Sequence, residues 1–239
     1  AEGMPGSPRI HGYDAASQIV LMDRVAGDTL YDLFTGRAAA DHGPTLGRVG
    51  AWLDRFHRLV QWEDRQFQPK YTLNHLGKVR DQVESGQQNV PHRAAFLAAL
   101  HQTIETAPTA QQCQTVAAVG HGDLNLRNIL VAGEDVSGLD FGTPGLLPVA
   151  HDLARLFCHY GALCVKPDGT EHAPLPGVDL SAFFDGYTLV GPEDETVAFL
   201  CRVRVLRDWQ SIPKPLIKRS VSQQIRFRGI QALARGMFA

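Results

Sequence analysis

Residues 116–142 read VAAVGHGDLNLRNILVAGEDVSGLDFG, and this stretch determines the interpretation of the whole chain. Two short segments, Ile-Leu-Val at 129–131 and Val-Ser-Gly-Leu at 136–139, flank a Gly-Glu-Asp sequence, and this pattern predicts two short strands joined by a tight turn. Polar residues lie just outside both strands. Polar groups gathered at the ends of a small buried hairpin indicate a functional site rather than a purely structural element.

Three of these polar residues can work together. Asp123 and Asn128 are five residues apart before the first strand, and Asp140 follows the second strand, twelve residues after Asn128. Folding the hairpin brings its two ends together, so two carboxylates and one amide oxygen converge. Oxygen ligands of this kind suit Mg²⁺, which takes its remaining ligands from water and phosphates. The other carboxylate can orient a hydroxyl group and accept its proton.

The pattern H-G-D-x-x-x-x-N followed by D-F-G resembles that of the protein-kinase-like superfamily. It is closest to the aminoglycoside phosphotransferase and choline kinase branch, where H-G-D replaces the H-R-D of protein kinases. The resemblance implies that Asp123 is the catalytic base and that Asn128 and Asp140 hold Mg²⁺ against the nucleotide phosphates. It also implies that His121 supports the catalytic loop structurally.

Three further segments resemble parts of the same family in the expected order. The first, IVLMDRVAGDTL (19–30), resembles the hinge strand. This resemblance places Met22 at the back of the nucleotide pocket and the backbone of Asp23 and Val25 at the adenine edge. The segments 46–59 and 149–156 resemble the helix that ends in Leu-His and the Asp-Leu-Ala helix. They imply that His57 packs near the catalytic loop and that Asp152 anchors it.

The resemblance implies an α+β, protein-kinase-like fold. We expect mainly the helical C-terminal lobe, with a catalytic β-hairpin and a remnant of the N-lobe sheet. Residues 1–27 would supply the last strands of the N-lobe and the hinge, and residues 28–239 would supply the helical lobe with the metal site and the acceptor-binding helices. We predict strands at 9–13 and 18–25, of which the apolar run 19–22 suits burial on both faces.

Helices are expected over most of the remaining chain. Asp28 or Thr29 suits the N-cap of a short helix that runs through Phe34. Apolar residues recur at steps of three and four in the helix predicted at 45–60, with Thr45 as its N-cap; these are Leu46, Val49, Leu53, Phe56 and Val60. Further helices are predicted near 74–85, 92–105, 193–210 and 214–235.

Two parts of a complete kinase do not occur in the sequence. It contains no G-x-G-x-x-G, and its first lysine is Lys70, well after the hinge. A phosphate-covering loop and a strand lysine are both needed for catalysis in such enzymes. We therefore expect the chain to be the back portion of a longer kinase. The alternative is a nucleotide-binding or scaffolding pseudokinase without catalysis.

The expected activity is transfer of the γ-phosphoryl group of Mg-ATP or Mg-GTP to a hydroxyl of a small metabolite or aminoglycoside-like acceptor. A protein acceptor is disfavoured because Gly122 replaces the arginine of H-R-D and only eleven residues separate Asp140 from Asp152. No Ala-Pro-Glu follows. No interleaving of aromatic and basic residues suggests a nucleic-acid partner.

The charge distribution leaves the acceptor open. Nine basic residues against one acid, Asp208, lie beyond position 201, whereas residues 1–201 carry 14 basic and 24 acidic residues. The acidic body suits a cationic acceptor, and the acids Asp185, Glu193, Asp194 and Glu195 could contact an amine or simply begin a helix. The basic segment 202–235 suits a phosphorylated or carboxylated acceptor, or a membrane surface. Four cysteines at spacings without a metal pattern are consistent with a reducing cytoplasm.

Overall fold

Three small antiparallel sheets lie among helices in the computed structural model, which describes residues 6–59, 62–143, 145–164 and 180–238. The strands are β1 (Ile10–Asp14), β2 (Ile19–Met22), β3 (Asp28–Thr29), β4 (Trp62–Gln66), β5 (Gln114–Val119), β6 (Ile129–Ala132), β7 (Asp135–Gly138) and β8 (Leu146–Pro148). The α-helices are α1 (Leu30–Phe34), α2 (Gly43–Leu59), α3 (Lys70–Glu84), α4 (Arg93–Gln111), α5 (Ala150–Cys164), α6 (Ser181–Gly186), α7 (Glu195–Gln210) and α8 (Val221–Met237). Short 3-10 helices span Ala39–His42 and Leu216–Lys218.

The first hairpin confirms the two predicted N-terminal strands but not their burial. β1 and β2 pair antiparallel, with Ile10 opposite Met22 and Asp14 opposite Ile19. All four residues of β2 are exposed. The expectation that this run is buried on both faces is therefore wrong, because among the described residues no third strand joins this sheet and no helix covers it.

The predicted catalytic hairpin forms as β6 and β7. Ile129 pairs with Gly138, and Ala132 pairs with Asp135 next to the turn. β3 adds a third strand on the β6 side, so that Asp28 lies opposite Val131. This pairing places the segment after the predicted hinge directly beside the hairpin. Gly27 fits here because it has a φ of 109° and a Cβ would lie 2.4 Å from the Val131 carbonyl oxygen.

The helix starts depart from the sequence prediction most clearly in two places. The helix predicted from 214 begins only at Val221, because Ser220 caps it there and the short 3-10 helix Leu216–Lys218 precedes it. Thr29 caps α1 as expected, since its side chain accepts a hydrogen bond from the Asp32 amide. Thr45, however, is not an N-cap: the 3-10 helix runs directly into α2 at Gly43, and Thr45 is buried inside the first turn. The predicted apolar stripe of α2 is buried up to Phe56, whereas Val60 lies outside the described residues.

The sheet formed by β4, β5 and β8 was not predicted. The sequence of β4 is WEDRQ, and all five residues are exposed, so the segment has no apolar alternation from which a strand could be predicted. It forms because its backbone pairs with β5 along five residues, from Trp62 opposite Ala118 to Gln66 opposite Gln114.

The helix α5 is the centre of the helical part. It packs against both α7 and α8, and most of its residues are buried, including Leu153, Leu156, Phe157 and Tyr160. Burial of each such side chain stabilises the fold by roughly 1.5–3 kcal/mol. This firmly packed helix also carries the polar residues that hold the candidate site.

Candidate active site

The loop between β5 and β6 is anchored by a buried carboxylate. Asp152, in the first turn of α5, is 4% exposed. Its Oδ2 accepts a hydrogen bond from the His121 amide at 2.5 Å, and its Oδ1 accepts one from the Gly122 amide at 3.0 Å. Gly120 lies so close that a Cβ would be 2.9 Å from this carboxylate. The structure thus fixes the start of the loop to a helix of the core.

A second contact orients the Asp152 carboxylate. His57 Nε2 lies 3.1 Å from Asp152 Oδ2, and its Nδ1 lies 2.8 Å from the Tyr187 hydroxyl. With neutral imidazole, Nε2–H donates to the carboxylate and Nδ1 accepts from the hydroxyl. Burial alone raises the pKa of the Asp152 carboxyl, but hydrogen bonds from His57, His121 and Gly122 outweigh it and hold the pKa below its usual value.

His121 is enclosed rather than available for proton transfer. Its side chain is fully buried, and its ring stacks on Phe141 at a centroid distance of 4.5 Å. Burial lowers the pKa of His121, which favours the neutral ring. Neither ring nitrogen has a hydrogen-bond partner among the described residues. This environment fits the structural role that the sequence suggested for His121.

Asp123 is held by three side chains. Its Oδ2 accepts hydrogen bonds from the amide nitrogens of Asn125, at 3.1 Å, and Asn128, at 3.3 Å. Its Oδ1 accepts one from Arg155 Nε at 2.9 Å. The Asp123 side chain is still 49% exposed. The Asp123 carboxylate is therefore both held in position and accessible to solvent, which suits a group that binds and deprotonates a hydroxyl.

Asn128 and Asp140 lie at the same end of the hairpin, as predicted. The Asn128 carbonyl accepts the Leu139 amide at 2.8 Å, which places Asp140 one residue beyond the end of this pairing. The Gly142 amide donates to the His121 carbonyl at 2.7 Å, so the segment after Asp140 runs beside the catalytic loop. The sequence therefore predicted correctly which chain segments meet here.

The two residues offer ligands of the kind that Mg²⁺ takes. Asn128 uses its amide nitrogen on Asp123, which leaves its amide oxygen for another partner. Asp140 is exposed, and it has no hydrogen bond or ion pair within the described ranges. Its backbone is in the left-handed region, at a φ of 55°, which few non-glycine residues adopt. In the part of the chain that is described, no three His, Cys, Asp or Glu residues cluster as a metal site.

The predicted hinge residues follow β2. Met22 is 47% exposed. The Asp23 amide donates to the Arg9 carbonyl at 2.9 Å, and its carboxylate lies 2.5 Å from His11 Nε2. Val25 makes no hydrogen bond to any other described residue. Its backbone groups are thus unpaired two residues before Gly27, where the chain meets the catalytic hairpin.

Two polar residues of α5 were missed by the sequence analysis. Arg155 binds Asp123, and His159 Nδ1 accepts a hydrogen bond from the Leu126 amide of the catalytic loop at 3.1 Å. Burial, followed by the nearby charges of Arg155 and Arg226, lowers the pKa of His159 to about 4. Their spacing in the sequence could have identified them, because residues 152, 155 and 159 share one face of a helix that is otherwise mostly apolar.

Two of the acids considered for binding an amine, Asp194 and Glu195, lie at the start of a helix. Asp194 is the N-cap of α7, and its carboxylate accepts the Val197 amide at 2.8 Å. Glu195 is in the first turn of the same helix. The reading of these acids as a helix start is therefore confirmed for this pair.

None of the helices in the described part of the chain is long and apolar enough to cross a lipid bilayer.

Comparison with solved structures shows a shared fold. A choline/ethanolamine kinase family protein from Mesorhizobium loti matches with a TM-score of 0.64 at 16% identity, over 95% of this chain and 74% of that one. The AMP complex of a spectinomycin phosphotransferase matches with a TM-score of 0.55 at 15% identity, over 92% and 72%. A glucosamine kinase matches with a TM-score of 0.58 at 14% identity, over 96% and 65%. This chain thus spans about two thirds to three quarters of these structures.

Comparison by sequence gives the family. No curated relative matches the chain. The model of the phosphotransferase enzyme family, APH, matches residues 2–175, which include the hinge segment, the catalytic loop and the Asp152 helix. The chain belongs to the APH phosphotransferase enzyme family, and it has the protein-kinase-like fold of the solved kinases.

Proposed function

We propose that the protein transfers the γ-phosphoryl group of Mg-ATP or Mg-GTP to a hydroxyl of a small molecule. The observation that carries this proposal is the meeting of Asp123, Asn128 and Asp140 at one end of the hairpin formed by β6 and β7. The solved relatives include a spectinomycin phosphotransferase bound to AMP or to ADP and spectinomycin, and a glucosamine kinase bound to glucosamine and ADP. They support a nucleotide as donor and a small molecule as acceptor.

Asp123 is the catalytic base in this proposal. Its carboxylate orients the acceptor hydroxyl and takes its proton as the oxygen attacks the γ-phosphorus. Asn125, Asn128 and Arg155 fix the carboxylate, so little reorganisation is needed when the acceptor arrives. The exposed part of the Asp123 carboxylate remains accessible to the substrate.

Asn128 and Asp140 are the metal-holding residues in this proposal. Asn128 orients its amide oxygen by donating from the nitrogen to Asp123. Asp140, at the same end of the hairpin, offers an exposed carboxylate that no other described residue binds. Mg²⁺, when bound, supplies positive charge that offsets the charge of the phosphates. The backbone of Asp23 and Val25 would meet the nucleotide base, beside Met22.

Measurement of nucleotide binding to the full-length protein tests the donor half of this proposal. Titration calorimetry with Mg-ATP should give saturable binding that requires Mg²⁺, and Asp140→Ala should weaken it at least about tenfold because a charged ligand is lost. Asp135→Ala is the matched control, since Asp135 is an exposed acid at the opposite end of the same hairpin. Binding that is unaffected by Asp140→Ala would contradict the metal assignment, and binding without phosphoryl transfer to any acceptor would favour the pseudokinase alternative.

The free cysteines bear on the compartment. All four, Cys113, Cys158, Cys164 and Cys201, are unpaired. We propose a reducing compartment such as the cytoplasm, since disulfide-free cysteines are usual there.

A further inference from the structure

A cleft of about 400 Å³ opens beside the catalytic loop. Gly120 and Gly122 of the loop form part of its wall, and Asp152 and Arg155 of α5 form another part. Further walls come from the start of α3, from Thr143 and Gly145, from β8 and from α7. Arg155 also binds Asp123, so one side chain contacts both the cleft and the proposed catalytic base.

The charged groups lining this cleft are almost all basic. Arg155, Arg204 and Arg207 line it, together with two histidines, His75 and His151. Asp152 is its acidic lining residue, and the carboxylate of Asp152 already accepts hydrogen bonds from His57 and from the loop amides. Among the described residues, the lining therefore offers a cationic ligand no free carboxylate, and such a ligand would lie close to three guanidinium groups.

These arginines have donors left over. Arg155 pairs with Asp123, but its Nη1 is buried without a partner among the described residues. Arg204 pairs with Asp208, an acid that it shares with Arg226, and its Nε is likewise buried and unpaired within the described ranges. A buried donor without an acceptor is costly, and an anion in the cleft would supply acceptors.

Arg207 is the least constrained of the three. It is exposed, and its side chain makes no hydrogen bond or ion pair with any other described residue. The charge of Arg207 affects a histidine that lines the cleft. The pKa of His75 is lowered mainly by burial and, as the second cause, by the positive charge of Arg207. Burial also lowers the pKa of His151, with a smaller opposing effect of Asp152 and a further lowering by Arg207.

We propose that this cleft is the acceptor site and that it binds an anionic group of the acceptor, a phosphate monoester or a carboxylate, through Arg204 and Arg207. This inference rests on the proposed function and narrows it to one substrate class. The anionic group would lie at α7, and the acceptor hydroxyl would point to Asp123 past Arg155. Part of the basic segment 202–235 thereby gains a role, since two of its arginines face the cleft.

Binding of four matched hexoses to the full-length protein tests the inference. Glucose 6-phosphate, glucuronate, glucose and glucosamine share one ring and differ in carrying a phosphate, a carboxylate, no charge or an ammonium group. Calorimetric titration is done with Mg-ADP present, so that the nucleotide site does not compete for the anions. At least one anionic hexose should bind tenfold or more tighter than glucose and glucosamine, and comparison of the two anions identifies the preferred group.

Substitution of Arg207 shows where the anion binds. Arg207→Gln should weaken binding of the preferred anion at least about tenfold. Arg228→Gln is the matched control: Arg228 is an exposed arginine of α8 outside the cleft, and its substitution should change nothing. Urea unfolding of both variants verifies that they fold.

Three results would overturn the inference: tightest binding of glucosamine or glucose, no binding of either anion, or anion binding that survives Arg207→Gln. A failure of the proposed function looks different. In that case Mg-ADP would not bind at the hairpin, while binding of the anions would still depend on Arg207.

Discussion

Arg155 Nε donates a hydrogen bond to Asp123 Oδ1 at 2.9 Å. One helical turn earlier, Asp152 holds the backbone of the same loop. A single helix, α5, therefore fixes both the backbone and the carboxylate of the proposed catalytic loop. Because α5 is packed between α7 and α8, the geometry of Asp123 is tied to the helical core.

The Asp152 anchor should contribute strongly to stability. Asp152→Ala leaves the His121 and Gly122 amides and His57 without their acceptor in a buried site, and we expect a loss of about 3 kcal/mol in the free energy of unfolding. Urea unfolding measures this loss. Glu105→Ala, at an exposed position of α4, serves as control and should change the value by less than about 0.5 kcal/mol. Equal effects of the two substitutions would show that Asp152 is not an anchor.

Alanine substitution should have opposite effects on stability at two helical glycines, one of which lies at a close helix crossing. A Cβ on Gly229 of α8 would lie 1.7 Å from the Ala162 carbonyl oxygen of α5, so Gly229→Ala should destabilise by about 1–3 kcal/mol or more. Gly77 lies in the interior of α3, and a Cβ added there would meet no atom within 4 Å, so Gly77→Ala should stabilise by about 0.5–1 kcal/mol. Thermal unfolding compares the two variants, and a tolerated Gly229→Ala would refute the crossing.

His159 should make stability depend on pH. The unfolded chain binds a proton at this residue below about pH 6.5, whereas the folded chain binds it only below about pH 4. The free energy of unfolding should therefore decrease as the pH falls from 6.5 to 4, with up to about 3 kcal/mol from this residue. His159→Asn keeps an acceptor near the Leu126 amide and should flatten the dependence.

Urea unfolding at pH 7.0 and pH 5.0 measures the contribution of His159. The difference between the two pH values should be smaller in His159→Asn than in the wild type, although other buried histidines keep it above zero. An identical difference in both proteins would contradict the assignment.

The sequence predicted the parts of the site that depend on local order. The strands β6 and β7, their turn and the convergence of Asn128 with Asp140 follow from two short strand-forming segments separated by turn residues. The anchoring role of Asp152 was implied by the family resemblance, and the hydrogen bonds of the loop amides now give its physical basis. The roles of Asp123, Asn128, Asp140, Met22, Asp23 and Val25 stay predictions.

The rest depends on contacts between distant segments. β4 is polar throughout and becomes a strand only through pairing with β5. Thr45 looked like a cap because the 3-10 turn before α2 has no local signature. The basic cleft joins Arg155 with Arg204 and Arg207, some fifty residues later, so the basic segment 202–235 is visible in the sequence but its contact with α5 is not.

Phosphoryl transfer by the full-length protein tests the central claim most directly. ADP release from Mg-ATP is measured with the four hexoses as acceptors, for the wild type, for Asp123→Asn and for Asp135→Asn as the matched control on the same hairpin. We predict that Asp123→Asn lowers kcat at least about a hundredfold, because a general base contributes roughly 10²–10⁴ in rate, while Asp135→Asn has no effect. Near-normal turnover in a folded Asp123→Asn variant would contradict the account.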